Sequence, residues 1–184
     1  MKNKAYVLEL EFDIGQVTTA LQSRFITPDK KTHNVNKKGS LAGTFEFRAG
    51  EKLRLRVIAN AKAFNHEGKR EDLNLKINDC TLTSLARYQP AIGRDFDMNL
   101  SPFNRLKACV NIGKWGRSKP AHDKQFKSET IESNDVLDII KGDGQWEISG
   151  YLSVSYNANG KTLWRSYYFD PEGSVSSGIG LDPP

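Results

Sequence analysis

Residues 146–171, WEISGYLSVSYNANGKTLWRSYYFDP, read as a long β-hairpin. Trp146, Ile148, Leu152, Val154 and Tyr156 share one parity, and Glu147, Ser149, Ser153 and Ser155 share the other. That period of two is the pattern of a half-buried strand. Asn159-Gly160 marks the turn, and two registers compete for it. A two-residue Asn-Gly turn puts Arg165 on the buried face, where a charge without a partner is costly. A bulged loop of Ala158, Asn159 and Gly160, with Gly160 left-handed, is therefore preferred. It pairs Asn157 with Lys161, Val154 with Trp164 and Gly150 with Tyr168. Tyr151 then faces Tyr167 on the outer side, beside Phe169 opposite Ser149, and Trp164 and Tyr168 take the opposite parity. The hairpin is apolar on both faces, so Tyr151, Tyr167 and Phe169 become the candidate surface for a carbohydrate, a protein partner or a second copy. The competing expectation is that a loop or second sheet of the same chain packs over them.

The same alternation recurs upstream. Tyr6, Leu8, Leu10, Phe12 and Ile14 alternate with Val7, Glu9, Glu11 and Asp13, which predicts a first strand inside or early in a sheet. Residues 41–59 predict a second hairpin around Ala49-Gly50-Glu51, pairing Phe47 with Leu53, Phe45 with Leu55 and Glu46 with Arg54. Lys52, Arg54 and Arg56 would line its outer face, which fits a solvated edge with a Glu46–Arg54 ion pair better than an anion site. Leu73, Leu75 and Ile77 alternate, residues 81–85 form a short β-prone stretch, and Leu106, Ala108, Val110 and Ile112 predict another strand. Residues 88–104 carry Pro90, Gly93 and Pro102 without periodicity and predict a long irregular connection, a common place for binding residues. Residues 133–142, SNDVLDIIKG, fit either a short helix or a buried strand. Short strands, frequent turns and at most one helix predict an all-β fold, an antiparallel β-sandwich of jelly-roll or immunoglobulin-like order.

With 184 residues, the whole chain fits one sandwich domain around one core. A mean hydropathy of -0.58, and no stretch near the ~20 apolar residues of a membrane helix, predict a soluble protein without membrane association. Glu9, Glu11 and Asp13 interrupt the N-terminal apolar run, so no signal peptide is expected and the cytoplasm is the default location. Cys80 and Cys109 then read as reduced, small and buried.

The net charge of +5 is unevenly placed. Residues 105–127 carry Arg105, Lys107, Lys114, Arg117, Lys119, Lys124 and Lys127 against Asp123 alone, and residues 24–40 carry a smaller excess. Trp115 and Phe126 lie among the first set of cations, in the combination that stacks bases and neutralises phosphates in single-stranded nucleic acid. A polyanion site at Arg105, Lys107, Lys114, Trp115, Arg117, Lys119, Lys124 and Lys127 is thus the alternative functional expectation. Solubilising lysines around a core Trp115 account for the same pattern.

Signals for catalysis are weak. His33, His66 and His122 lack metal-ligand spacing, and Asp95-Phe96-Asp97 has no calcium-loop continuation. Neither a Walker loop nor a nucleophile elbow occurs. No enzyme activity, metal or cofactor is expected.

Gly144-Gln145-Trp146-Glu147-Ile148, Tyr151-Leu152-Ser153-Val154 and Arg165-Ser166-Tyr167-Tyr168-Phe169-Asp170-Pro171 together resemble the close of the bacterial inclusion-body protein group, the AidA/PixA-like proteins. The approach to Thr44-Phe45-Glu46-Phe47-Arg48-Ala49-Gly50-Glu51 is similar as well. The resemblance implies a cytoplasmic bacterial β-sandwich, non-enzymatic, with accumulation, population-density-regulated or host-interaction roles. It supplies no catalytic residue, and the methionine richness of some members is missing from a chain with two Met.

Overall fold

A computed structural model describes residues 5–27, 45–46, 50–61, 73–88, 101–104, 107–120, 127–140, 145–158, 160–170 and 174–176. Among the described residues, twelve strands run in order: β1 Tyr6–Asp13, β2 Gln22–Ile26, β3 Phe45–Glu46, β4 Lys52–Asn60, β5 Lys76–Tyr88, β6 Cys109–Asn111, β7 Lys119–Pro120, β8 Ser128–Glu132, β9 Leu137–Asp138, β10 Gln145–Ala158, β11 Lys161–Phe169 and β12 Ser174–Ser176. No helix occurs among the described residues.

The strands form two mostly antiparallel sheets packed as a sandwich. The first has the order β2-β1-β4-β8-β7, with β9 beside β4, and the second β3-β12-β10-β5-β6, with β11 beside β10. Two pairs are parallel, β1 with β4 and β12 with β3. Leu8, Leu10 and Phe12 from β1 and Leu53, Leu55 and Val57 from β4 form one wall of the core, as the alternation predicts. Leu82, Ile148, Leu152, Val154 and Tyr156 form the other. The walls meet at Phe12, whose ring centroid lies 4.6 Å from that of Tyr167 and 6.1 Å from that of Tyr156.

The C-terminal hairpin forms with a different register from the one expected. Ala158 pairs with Lys161, Val154 with Arg165, Leu152 with Tyr167 and Gly150 with Phe169, the register of a two-residue turn with Gly160 at φ 70°. The expected penalty for Arg165 does not arise. Its side chain is half-buried at the rim, and its Nη1 donates to the Gln16 carbonyl at 3.4 Å. A long guanidinium stem covers apolar surface while its head leaves the core.

The predicted hairpin over residues 41–59 does not form. Phe45 and Glu46 pair in the second sheet with β12, while β4 lies between β1 and β8 in the first. Arg54 therefore does not face Glu46. Two cations of the stripe are neutralised across the sheet instead: Lys52 pairs with Asp138, and Arg56 with Glu132 and Glu9. Arg24 completes a ladder by donating from Nε to Glu9 at 2.6 Å. Burial lowers the Arg56 pKa, but the hydrogen bonds and charges of Glu132 and Glu9 outweigh it, so the guanidinium is held above its ordinary value.

Residues 133–140 take the extended alternative. Leu137 and Asp138 pair with Leu53 and Lys52, and Ile139 exchanges backbone hydrogen bonds with Gly50 and Glu51. The separate stretches expected around Ile77 and residues 81–85 are one strand, β5, whose parity changes at Asn78. Ser153 pairs with Asp79 and Val154 with Ile77, leaving Asn78 as the extra residue of a bulge. Ahead of β5, buried Glu129 accepts the backbone N–H groups of Asn74 at 3.2 Å and Leu75 at 3.0 Å. It also accepts the Ser118 hydroxyl, which ties β5 to the first sheet.

Candidate functional site

The two-residue turn decides which aromatic side chains reach solvent. Tyr167 and Phe169 lie on the inner face with Leu152 and Gly150, 2% and 1% exposed, and belong to the core. Their expected place on the outer surface is thereby corrected. The slip of one residue exchanges the two faces of β11, because side chains alternate with a period of two. Burial raises the Tyr167 phenol pKa well above the ordinary value, and the neighbouring Tyr156 adds to the shift.

Tyr151 is exposed as expected, but its cross-strand partner is Tyr168, also exposed. Trp164 stands four residues before Tyr168 on the same face, opposite Ser155, and is 73% exposed. Four residues of strand separate Trp164 from Tyr168 by roughly 13 Å. The Tyr151 hydroxyl and Ser166 Oγ lie 2.9 Å apart and hydrogen-bond across the strands, which fixes the tyrosine tip. Around these rings the face is lined with short polar side chains. Ser153 lies opposite Ser166, Thr81 beside Tyr151 and Thr83 beside Ser149. Asn111, opposite Thr81 on β6, donates from Nδ2 to Asp79 Oδ1 at 2.7 Å. The arrangement offers ring faces for C–H groups and hydroxyl, amide and carboxylate groups for directed hydrogen bonds. The signal for it in the sequence was the parity shared by Trp164 and Tyr168, but only the register gives that parity an outward direction.

The basic segment divides between the sheets. Exposed Lys107 precedes β6 at the edge of the second sheet, whereas Lys119 lies on β7 at the edge of the first. Lys114 and Arg117 are exposed on the connection between them, and Lys127 is half-buried just before β8. Trp115 packs against the core, and its indole Nε1 donates to the Ile112 carbonyl at 2.8 Å. Its ring is thus an anchor for the crossing between sheets rather than a free stacking platform. Arg105, Lys124 and Phe126 lie outside the described residues, as do His33, His66, His122, Asp95 and Asp97.

The cysteines differ from each other. Cys80 is buried, and desolvation with the charge of Asp79 pushes its thiol up to about 12, making it unreactive at neutral pH. Cys109 is exposed on β6, contrary to its expected burial, with Sγ 3.7 Å from Thr83 Oγ1. Among the described residues, no group of three or more His, Cys, Asp or Glu side chains could hold a metal ion, and no helix is long and apolar enough to cross a membrane. No family model matches the chain, and no curated protein matches it.

Proposed function

We propose that this protein is a non-enzymatic carbohydrate-binding β-sandwich of the AidA/PixA-like type, acting in the cytoplasm, whose binding face is the outer surface of β10, β11 and β5. The observation that supports it is the exposure of Tyr151, Trp164 and Tyr168 on one face among serine, threonine and asparagine side chains. A pyranose has an apolar C–H face bounded by hydroxyls, so it matches a ring bordered by short polar groups. A purely apolar protein partner would leave those polar groups unpaired at a cost. An oligosaccharide lying along β11 would meet Trp164 and Tyr168 in turn, with Tyr151 widening the second contact.

The test is a glycan-array screen followed by calorimetric titration of any hit. Single alanine substitutions at Tyr151, Trp164 and Tyr168 should each weaken binding at least tenfold without lowering the melting temperature. An array with no hit, or a hit whose affinity ignores all three substitutions, would sink the proposal.

A further inference from the structure

We infer that Asp79 and Asn111 decide which carbohydrate the outer face selects: straight chains of pyranoses that present two adjacent, free, equatorial hydroxyls along one edge. The inference rests on the carbohydrate reading of the same face and adds directed hydrogen bonds to its rings. Asp79 lies opposite Ser153 of β10, and Thr81 lies between Tyr151 of β10 and Asn111 of β6, so all five share one face. Asp79 and Asn111 are both exposed. Asp79 is the diagonal neighbour of Tyr151 across β5 and β10, at the roughly 7–8 Å of such pairs. The bond between the Tyr151 hydroxyl and Ser166 draws the tyrosine tip toward β11, away from Asp79. Between the two, the floor is Ser153 and Thr81, short side chains that leave height for a sugar ring.

The chemistry of the pair is set by its own hydrogen bond. An ionised carboxylate only accepts, so the 2.7 Å contact fixes Asn111 Nδ2 as the donor and Asp79 Oδ1 as the acceptor. That bond holds the carboxylate in place and leaves Asp79 Oδ2 and the second N–H of Asn111 for a ligand. Among the described residues, no ion pair reaches Asp79. Lys76, opposite Ser155 in the next row, is exposed and does not pair with it. Two adjacent hydroxyls complete the set: one donates to Asp79 Oδ2, and the oxygen of its neighbour accepts from Asn111. The first of these is charge-assisted, hence the stronger kind. The shape of the sugar follows from β11, which passes Trp164 and Tyr168 without a bulge, so a chain that meets both rings is straight. A 1,4-linked chain of all-equatorial pyranoses is straight and turns its C–H faces to the aromatic rings. Its free C2 and C3 hydroxyls lie in the plane of each ring and extend sideways, toward β5. In a 1,3-linked chain of the same sugar, C3 is taken by the linkage, and no adjacent hydroxyl pair is left inside the chain.

Calorimetric titration of the purified chain with cellotetraose and with a soluble β-1,3-glucan tests this. Cellotetraose should bind, and the β-1,3-glucan should bind about tenfold more weakly or worse, the worth of one charge-assisted hydrogen bond. Asp79→Ala and Asp79→Asn should each weaken cellotetraose binding by about tenfold or more, and Asn111→Ala by less, because it removes one neutral bond and the support of the carboxylate. The melting temperature should stay unchanged in all three, since both side chains are exposed. Equal affinity for the two glucans, or cellotetraose binding that ignores both Asp79 substitutions, would overturn the inference. So would an array whose hits depend on Tyr151, Trp164 and Tyr168 while cellotetraose fails to bind; in that case the carbohydrate reading stands and the selection by Asp79 falls. An array with no hit removes both.

Discussion

The ring of Phe169 occupies the space above Gly150 that a side chain would need. A Cβ built at Gly150 would lie 2.2 Å from Phe169 Cζ and 2.7 Å from the Thr81 carbonyl oxygen. The two residues are cross-strand partners, and the aromatic ring supplies the packing that the glycine lacks.

Gly150→Ala should therefore be destabilising by about 3 kcal/mol, the upper part of the overpacking range. The ring can rotate aside, but the Thr81 oxygen belongs to the backbone of β5 and moves only with the strand. Urea denaturation measures this, and a loss under ~0.5 kcal/mol would mean that Phe169 does not pack as described.

The aromatic residues of β11 should separate by parity. Phe169→Ala and Tyr167→Ala each remove a fully buried ring and should cost about 3–5 kcal/mol. Trp164→Ala and Tyr168→Ala should change stability by less than ~0.5 kcal/mol, because their rings already face water. Thermal melts of the four variants read the register directly: the reverse order of losses would restore the bulged turn.

Alkaline pH should weaken the fold through Cys80 and Tyr167. Both protons are retained in the native state after the unfolded chain has lost them, since burial raises the Cys80 pKa from 9.0 to about 12 and lifts the Tyr167 phenol well above its ordinary value. The stabilisation is complete below about pH 9 and declines as pH rises above it, by up to about 1.4 kcal/mol per pH unit for each group. Urea midpoints at pH 8, 9.5 and 11 should show a shallower fall in the Cys80→Ala, Tyr167→Phe double variant. Parallel curves for variant and parent would show that neither group contributes.

On the opposite sheet, Glu9 is 3% exposed between Arg24 and Arg56. Glu9→Ala should cost roughly 2–4 kcal/mol, less than a fully buried pair because both arginines reach water. Arg24→Ala, at a residue half in solvent, should cost under ~1 kcal/mol. Equal losses would show that the ladder is held by its exposed members.

The strands were legible where burial is one-sided. Tyr6 to Ile14 and the run from Ile148 to Tyr156 state their inner faces by alternation, because one side of each strand must leave water. The candidate surface was less legible, since β11 is aromatic at both parities and composition alone gives no direction. The expectation turned on Arg165, treated as a charge that must avoid the core, whereas the length of its side chain lets the guanidinium escape at the rim. The basic segment shows the same limit: its cations adjoin one another in sequence, yet the connection carries them from the edge of one sheet to the edge of the other.

By itself, the sequence determined the β architecture, the place of the hairpin turn at Gly160 though not its length, and the alternating core of β1, β4 and β10, because these follow from local periodicity and glycine chemistry. Only the tertiary structure decided that β1 lies parallel to β4, that Phe45 joins the opposite sheet, and that Trp164 and Tyr168 rather than Tyr167 and Phe169 face solvent. Those outcomes depend on contacts between residues far apart in the chain, where a shift of a single residue exchanges the buried face for the exposed one.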